Sequence, residues 1–417
     1  MAAGAFWYAG WPSVRRDSTV TPATLFDLLK LVFSVVAGVG GVAALVVAYR
    51  RQRVAEHANK LAEFAHGLAH AADLRADAAE GRAKTETDRN GIRLFNERFA
   101  KASEQLGSDK AAVRLAGVYA MAGLADDWRD GRQTCIDVLC AYLRMPYTPP
   151  AEDSSDVGPT GEAASTEPVH GDPLAREERE VRHTVIRLIS RHLRLAKDEP
   201  TSWRGLNFDF TGAVFDGGDF SEVTFSGGEV SFADATFCGR IVSFTGATFS
   251  GGGVSFAGAT FSSGRVFFAE ATFSGGGVSF YEAKFSGGEV FLAVAKFSGG
   301  NLSFDRATFS GGAVFFSAST FSGAKVEFGG AMFSGGRTEF IGTTFSGGSV
   351  GFRFATFSGG RVSFRDAIFS GGEVDLRDAI FSGGEVDLLK ARIEAAPPLS
   401  DSWPDGVPPE GLYLPAM

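Results

Sequence analysis

From Phe225 to Arg392 the apolar and polar positions recur every twelve residues, fourteen times without an insertion, in a unit of the form FSGGxVxFxxAx that restarts at Phe237, Phe249, Phe261 and on to Phe381. The first position is Phe in all fourteen units, and the eighth is Phe except at Leu292, Leu376 and Leu388. The sixth is mostly Val and the eleventh mostly Ala. Phenylalanines therefore alternate at spacings of seven and five. Residues two apart on an extended backbone face the same way, so Val230 with Phe232, and Ala235 with Phe237, are expected inside, with Ser231 and Thr236 outside. A short period copied so often predicts a solenoid.

Upstream, Phe210, Phe215, Phe220 and Phe225 are spaced by five alone. That stretch, together with the VSFAD and ATFSG halves of each unit, resembles the pentapeptide-repeat family over residues 206–392. The resemblance implies a mainly β fold: a right-handed quadrilateral β-helix with Leu or Phe at the centre of each side. The departure is two extra residues in every second side, the SGGx turn. A flat twelve-residue coil leaves no room for two stacked Phe columns, so two units per coil are expected, with sides of five, seven, five and seven. That gives seven coils of twenty-four residues plus a first coil of twenty, a rod of roughly 38 Å at about 4.8 Å per coil. Each ring buries about 150–250 Å², so the Phe columns drive folding. The paired glycines suit corners that need positive φ.

The second feature is Leu31 to Tyr49, nineteen residues without a charge, about the length that crosses a ~30 Å hydrocarbon layer. Arg50, Arg51 and Arg53 follow at once, whereas Arg15, Arg16 and Lys30 before the span are partly offset by Asp17 and Asp27. This bias places the C-terminal side in the cytoplasm of a single-pass plasma-membrane protein. Residues 25–49 are read as the transmembrane helix in contact with lipid, and 1–24 as an extracytoplasmic segment whose Trp7, Tyr8 and Trp11 suit the opposite interface. A cleaved signal peptide is the rival reading, and the basic cluster after the span argues against it. Ala37 with Gly41, and Gly40 with Ala44, fit small-xxx-small helix packing.

Residues 50–89 read as a helical stalk. Val54, Leu61 and Leu68 share one heptad position and Phe64 and Ala71 another, which leaves open a coiled-coil homo-oligomer or a solvated single helix. Residues 90–147 read as a small helical domain with Ser108 as an N-cap. Its stretch EQLGSDKAAVRLAGVYAMAGLADDW and the later CAYLRMPY resemble the helical module of actinobacterial membrane-anchored pentapeptide-repeat proteins, a type without an established activity. Residues 148–174, rich in Pro, Ser, Gly and acids, are expected to be a disordered linker. Residues 175–200 are expected to form a helix that caps the first coil, with Val181, Val185, Leu188, His192 and Leu195 on one face. The β-helix is placed at 201–392. In the tail 393–417, Pro397, Pro398, Pro404, Pro408 and Pro409 stop the repeat, and Leu412, Tyr413 and Leu414 are expected to fold back as a second cap.

Candidate chemistry is sparse. Cys135, Cys140 and Cys238 are no disulfide framework in 417 residues. His66 and His70 lie four apart without a supporting ligand set, and His192 reads as a core-edge histidine. The acid pairs Asp375 with Asp378, and Glu385 with Asp387, read as solvated surface. No catalytic, cofactor-binding or metal-binding residue and no cofactor is assigned, and the chain is not expected to be an enzyme. Residues 201–417 hold 14 Lys and Arg against 22 Asp and Glu and so carry almost all of the net charge of −9. An acidic rod repels phosphate, so nucleic acid is not an expected partner.

The column four places after the first Phe (Glu229, Ile241, Gly253, Arg265) keeps no charge stripe. Thr236, Thr248, Thr260, Thr272, Thr308, Thr320, Thr344 and Thr356 form a second column. Three functions compete. The first is a membrane-tethered cytoplasmic scaffold whose solenoid surface binds an unidentified protein. The second is duplex mimicry directed at a type II topoisomerase, diluted by Arg265, Arg306, Arg337, Arg353 and Arg361. The third, remote, is an ice-binding threonine ladder, although Thr also suits any exposed strand.

Overall fold

The computed structural model describes residues 21–150, 172–371, 373–394 and 407–414. Trp7, Tyr8, Trp11, the middle of the expected linker, and Pro397, Pro398 and Pro404 lie outside them. The chain divides into two units, Met1–Gly91 and Ile92–Met417.

The first unit is occupied by helix α1, Pro22–Leu106, which continues into the second. The sequence reading divides this stretch into segments near residues 49 and 89 without placing a break in the helix there. Both boundaries fall inside one continuous helix, since Ala, Glu, Arg and Lys propagate a helix and no proline interrupts them. One eighteen-residue window of α1 is long and apolar enough to cross a membrane, and none of it is buried. Val54, Leu61, Phe64 and Leu68 are likewise exposed.

In the second unit three further helices follow: α2, Ala111–Asp127, α3, Arg132–Arg144, and α4, Pro173–Arg194. Val118, Met121 and Leu124 of α2, Ile136 and Leu139 of α3, and Val185 and Ile189 of α4 are buried in one cluster continuous with the solenoid core. Two expected boundaries move. Ser108 is not the N-cap of α2; Lys110 holds that place, and the Ser108 hydroxyl instead accepts from the Lys110 amide at 3.2 Å. Helix α4 opens within the expected linker. Asp172 caps it by accepting from the Leu174 amide at 3.0 Å, with Pro173 in the first turn, where its missing N–H costs nothing.

The solenoid is four parallel sheets of eight, eight, nine and eight strands, which start at Phe208–Asp209, Val214–Phe215, Gly218–Asp219 and Thr224–Ser226. Strands two or three residues long pair with the strand one coil away. Phe261 aligns with Phe285, Val266 with Val290 and Phe273 with Phe297, a coil of two units. The first coil differs from expectation. Phe208 aligns with Val230, and Phe215 with Phe237, a shift of 22 residues rather than 20. The excess arises because the side from Phe225 to Phe232 already carries the glycine turn.

Inward side chains form four columns. They run Phe232–Phe256–Phe280–Phe304, Phe237–Phe261–Phe285–Phe309, Phe220–Phe244–Phe268, and Phe249–Phe273–Phe297–Phe321. Most successive rings lie 4.8 to 5.0 Å apart and nearly parallel. The backbone spacing between strands is the ring spacing, so pairing and stacking reinforce each other. Buried valines and alanines such as Val254 and Ala259 fill the space between columns. Corners two residues past an inward ring adopt positive φ even without glycine, as at Asp234, Glu282 and Asp366. The corner amide is held by the next coil, Asp234 N–H donating to the Ala257 carbonyl at 2.7 Å.

Both ends are covered in part. Helix α4 lies on the third sheet, where a Cβ added at Gly218 would sit 3.2 Å from Cδ1 of Ile186. At the far end Leu412–Tyr413 folds back and pairs with Glu385–Asp387, Val386 opposite Leu412.

Candidate functional site

The side chains that carry chemistry are mostly engaged in holding the fold. Cys135 and Cys140 are buried on α3, and burial pushes their thiols up to about 11 and about 12, far from the thiolate range. His66 and His70 stand on the exposed surface of α1. His192 is buried between the Leu188 carbonyl at 2.7 Å and Asp126 Oδ2 at 3.0 Å, and its ring stacks on Trp203 at 4.1 Å. Trp203 Nε1 donates to the other oxygen of Asp126 at 3.2 Å. Among the described residues no three His, Cys, Asp or Glu side chains gather as a metal site.

A denser polar cluster joins α4 to the first coil. Asp216, buried, accepts from Tyr147 Oη at 2.8 Å and Arg179 Nε at 2.7 Å, and His183 Nε2 lies 3.2 Å from its other oxygen. Burial alone would push this carboxyl up. The hydrogen bonds from His183, Arg179 and Tyr147 outweigh it and hold Asp216 down at about 2. Beside it Arg182, 2% exposed, donates to the carbonyls of Tyr142, Leu143 and Val214 and lies 4.4 Å from the Tyr147 ring centre. It thereby supplies the Leu143 carbonyl at the end of α3 and adds to the bond that the Tyr142 carbonyl accepts from the Met145 amide at 3.3 Å. None of Arg179, Arg182, His183 or Asp216 was singled out from sequence. Arg179, Arg182 and His183 do lie within the capping helix expected at 175–200.

The exterior faces behave differently from the twelve-residue columns read along the sequence. With two units per coil, each such column divides between two sheets. The threonines separate into Thr236, Thr260, Thr308 and Thr356 on the second sheet, and Thr248, Thr272, Thr320 and Thr344 on the fourth. Lys284 and Met332 interrupt one set and Lys296 the other. The C-terminal acid pairs are balanced. Asp375 lies 2.6 Å from Arg377, Asp378 3.3 Å from Arg353, and Arg361 serves both Glu385 and Asp387.

One exterior column breaks the polar rule. The outward residue before the eighth-position ring is Ser in most early units but Phe at 267, 291 and 315. These fall in alternate units, so all three stand on the third sheet in consecutive coils. Their half-buried rings stack outside the solenoid at 4.8 and 4.9 Å, and the Arg337 guanidinium lies 5.9 Å from the Phe315 ring centre. A modulation at twice the repeat length was the sequence signal that a twelve-residue reading passes over.

Four parallel sheets with a central aromatic residue on each side match what the repeats imply, and residues 210–260 fit the family model described as pentapeptide repeats, in nine copies. The solenoid is a pentapeptide-repeat β-helix. Pentapeptide-repeat solenoids are generally structural or binding proteins rather than enzymes. No curated protein matches the chain.

Proposed function

We propose that the chain is a membrane-tethered scaffold without enzymatic activity, its pentapeptide-repeat solenoid presented to a protein partner in the cytoplasm. The observation that carries the reading is the apolar window of α1: none of it is covered by the described residues, so a bilayer is the medium that suits it. The arginines directly after Tyr49 support a cytoplasmic C-terminal side. A filled lumen supports binding over catalysis, since rings such as Phe256 and Phe280 leave exterior faces as the recognition surface. Oligomerisation through the stalk belongs to the same proposal, because the apolar residues of 50–89 have no partner among the described residues. The paired arginines of the C-terminal coils favour this reading over duplex mimicry.

Proximity labelling in living cells, with the label fused to the C-terminus, tests both parts. Cytoplasmic membrane-associated proteins are expected, and the set must shrink when the chain is truncated before Phe208. Labelling of exported proteins instead would reverse the topology, and an unchanged set after truncation would end the scaffold reading.

A further inference from the structure

We infer that the Phe267–Phe291–Phe315 ladder is a docking face for a second copy of this chain, the two solenoids lying face to face and parallel. The inference rests on the scaffold reading and names one of its surfaces. A third-sheet strand such as Arg265–Phe267 turns two side chains outward, and the corner after it adds Ala269 and Glu270. The ladder therefore has Arg265 on one flank and Glu270 on the other flank of the same coil. Both are exposed, and neither forms an ion pair among the described residues. A two-fold axis running along the ladder, parallel to the solenoid, sets each ring against its own counterpart and exchanges the flanks. Arg265 of each copy then opposes Glu270 of the other, twice.

The alternative axis, across the ladder at Phe291, would make the copies antiparallel, set Arg265 against Ala313 rather than Glu270, and bring Glu289 against its own counterpart, two like charges. Self-complementarity therefore selects the parallel arrangement. Acids elsewhere in the central column do not oppose it, because each brings its own cation. Asp219 lies 2.9 Å from Arg194, Glu339 3.7 Å from Arg337, and Asp387 3.0 Å from Arg361. Packing ring on ring also explains why phenylalanine replaces serine there. Outward aromatic residues add nothing to a core that is already complete.

The area bounds the strength. A strip of about 38 Å by about 17 Å gives roughly 650 Å² per copy, below the about 800 Å² per partner of a standard stable interface. Association is thus expected to be weak for free solenoids and strengthened when two copies share a membrane, where effective concentration is high.

Disulfide trapping of the full-length protein in membranes tests this, in a Cys238→Ser background where Cys135 and Cys140 stay buried. In the parallel arrangement Ser243→Cys and Phe291→Cys each sit on the axis, so both are expected to give cross-linked dimers under mild oxidation. The Ser243→Cys yield is expected to fall at least tenfold with Phe267, Phe291 and Phe315 all changed to Ser, outward positions that leave the core rings intact. It is expected to fall likewise with Arg265→Glu, and to return when Glu270→Arg is added. Cross-linking of Phe291→Cys alone would mean antiparallel packing and overturn the proposal, as would no cross-link at either position. Loss of a foreign partner on removing the ladder, with no self-cross-link, would leave the scaffold standing and reassign this face to that partner.

Discussion

Adjacent glycines in one turn are expected to respond in opposite ways to the same methyl group. In Gly251-Gly252-Gly253, a Cβ built on Gly252 would fall 2.0 Å from the Gly228 carbonyl oxygen of the neighbouring coil. One built on Gly253 finds nothing nearer than 3.6 Å and has no left-handed φ to contend with. Relieving the first clash means displacing one turn from the next by about an ångström. The amides at risk are Gly227 N–H to the Ser250 carbonyl and Val254 N–H to the Gly277 carbonyl, both at 3.0 Å. Losing one or two backbone hydrogen bonds at about 1–1.5 kcal/mol each puts the cost of Gly252→Ala at about 1–3 kcal/mol. Gly253→Ala restricts only the unfolded chain and is expected to stabilise by about 0.4–1 kcal/mol. Because a solenoid need not unfold in one step, the assay is hydrogen exchange of peptides covering residues 226–256 in the detergent-solubilised full chain, read against urea. Faster exchange for Gly252→Ala together with unchanged or slower exchange for Gly253→Ala is expected. Equal effects from the two substitutions would refute the claim that inter-coil approach, rather than generic glycine flexibility, dictates these turns.

Other sites give further tests. Thr338 occupies an inward valine position, 1% exposed, with its hydroxyl unpartnered, so Thr338→Val is expected to stabilise by about 1–3 kcal/mol in urea unfolding. Phe280, stacked at 4.8 Å on both Phe256 and Phe304, is expected to cost about 3–5 kcal/mol as Phe280→Ala but much less as Phe280→Leu, since Leu376 already fills the same column. For Asp216 the folded carboxyl is held at about 2, below its ordinary 3.8, so its contribution is present above about pH 4 and is lost as pH falls toward 2. That difference is worth about 2 kcal/mol at neutral pH. Acid titration of stability should therefore show a loss between pH 4 and 2 that Asp216→Asn lacks, and an identical pH profile for the variant would remove the buried carboxylate from the account.

The physical character of each element determined how much of it could be read in advance. Periodicity and alternation are local properties of the backbone, so Val230-Ser231-Phe232 already says which residues lie inside. The start of α4 was equally local, and the Asp172-Pro173 pair carries it, yet the acidic composition around it drew the boundary to the linker instead. The cap cluster was not legible. Tyr147, Arg179, His183 and Asp216 are brought together from three segments, and no spacing along the chain announces a contact that packing creates.

By itself the sequence determined that the chain coils, that aromatic rings line its hollow and that an apolar helix lies near its start, because each follows from nearest-neighbour geometry repeated many times. Tertiary structure alone decided which units share a side. Only closure of four sides into one turn sets the phase of a repeat, and that phase divides the threonine column between two sheets while gathering Phe267, Phe291 and Phe315 onto one.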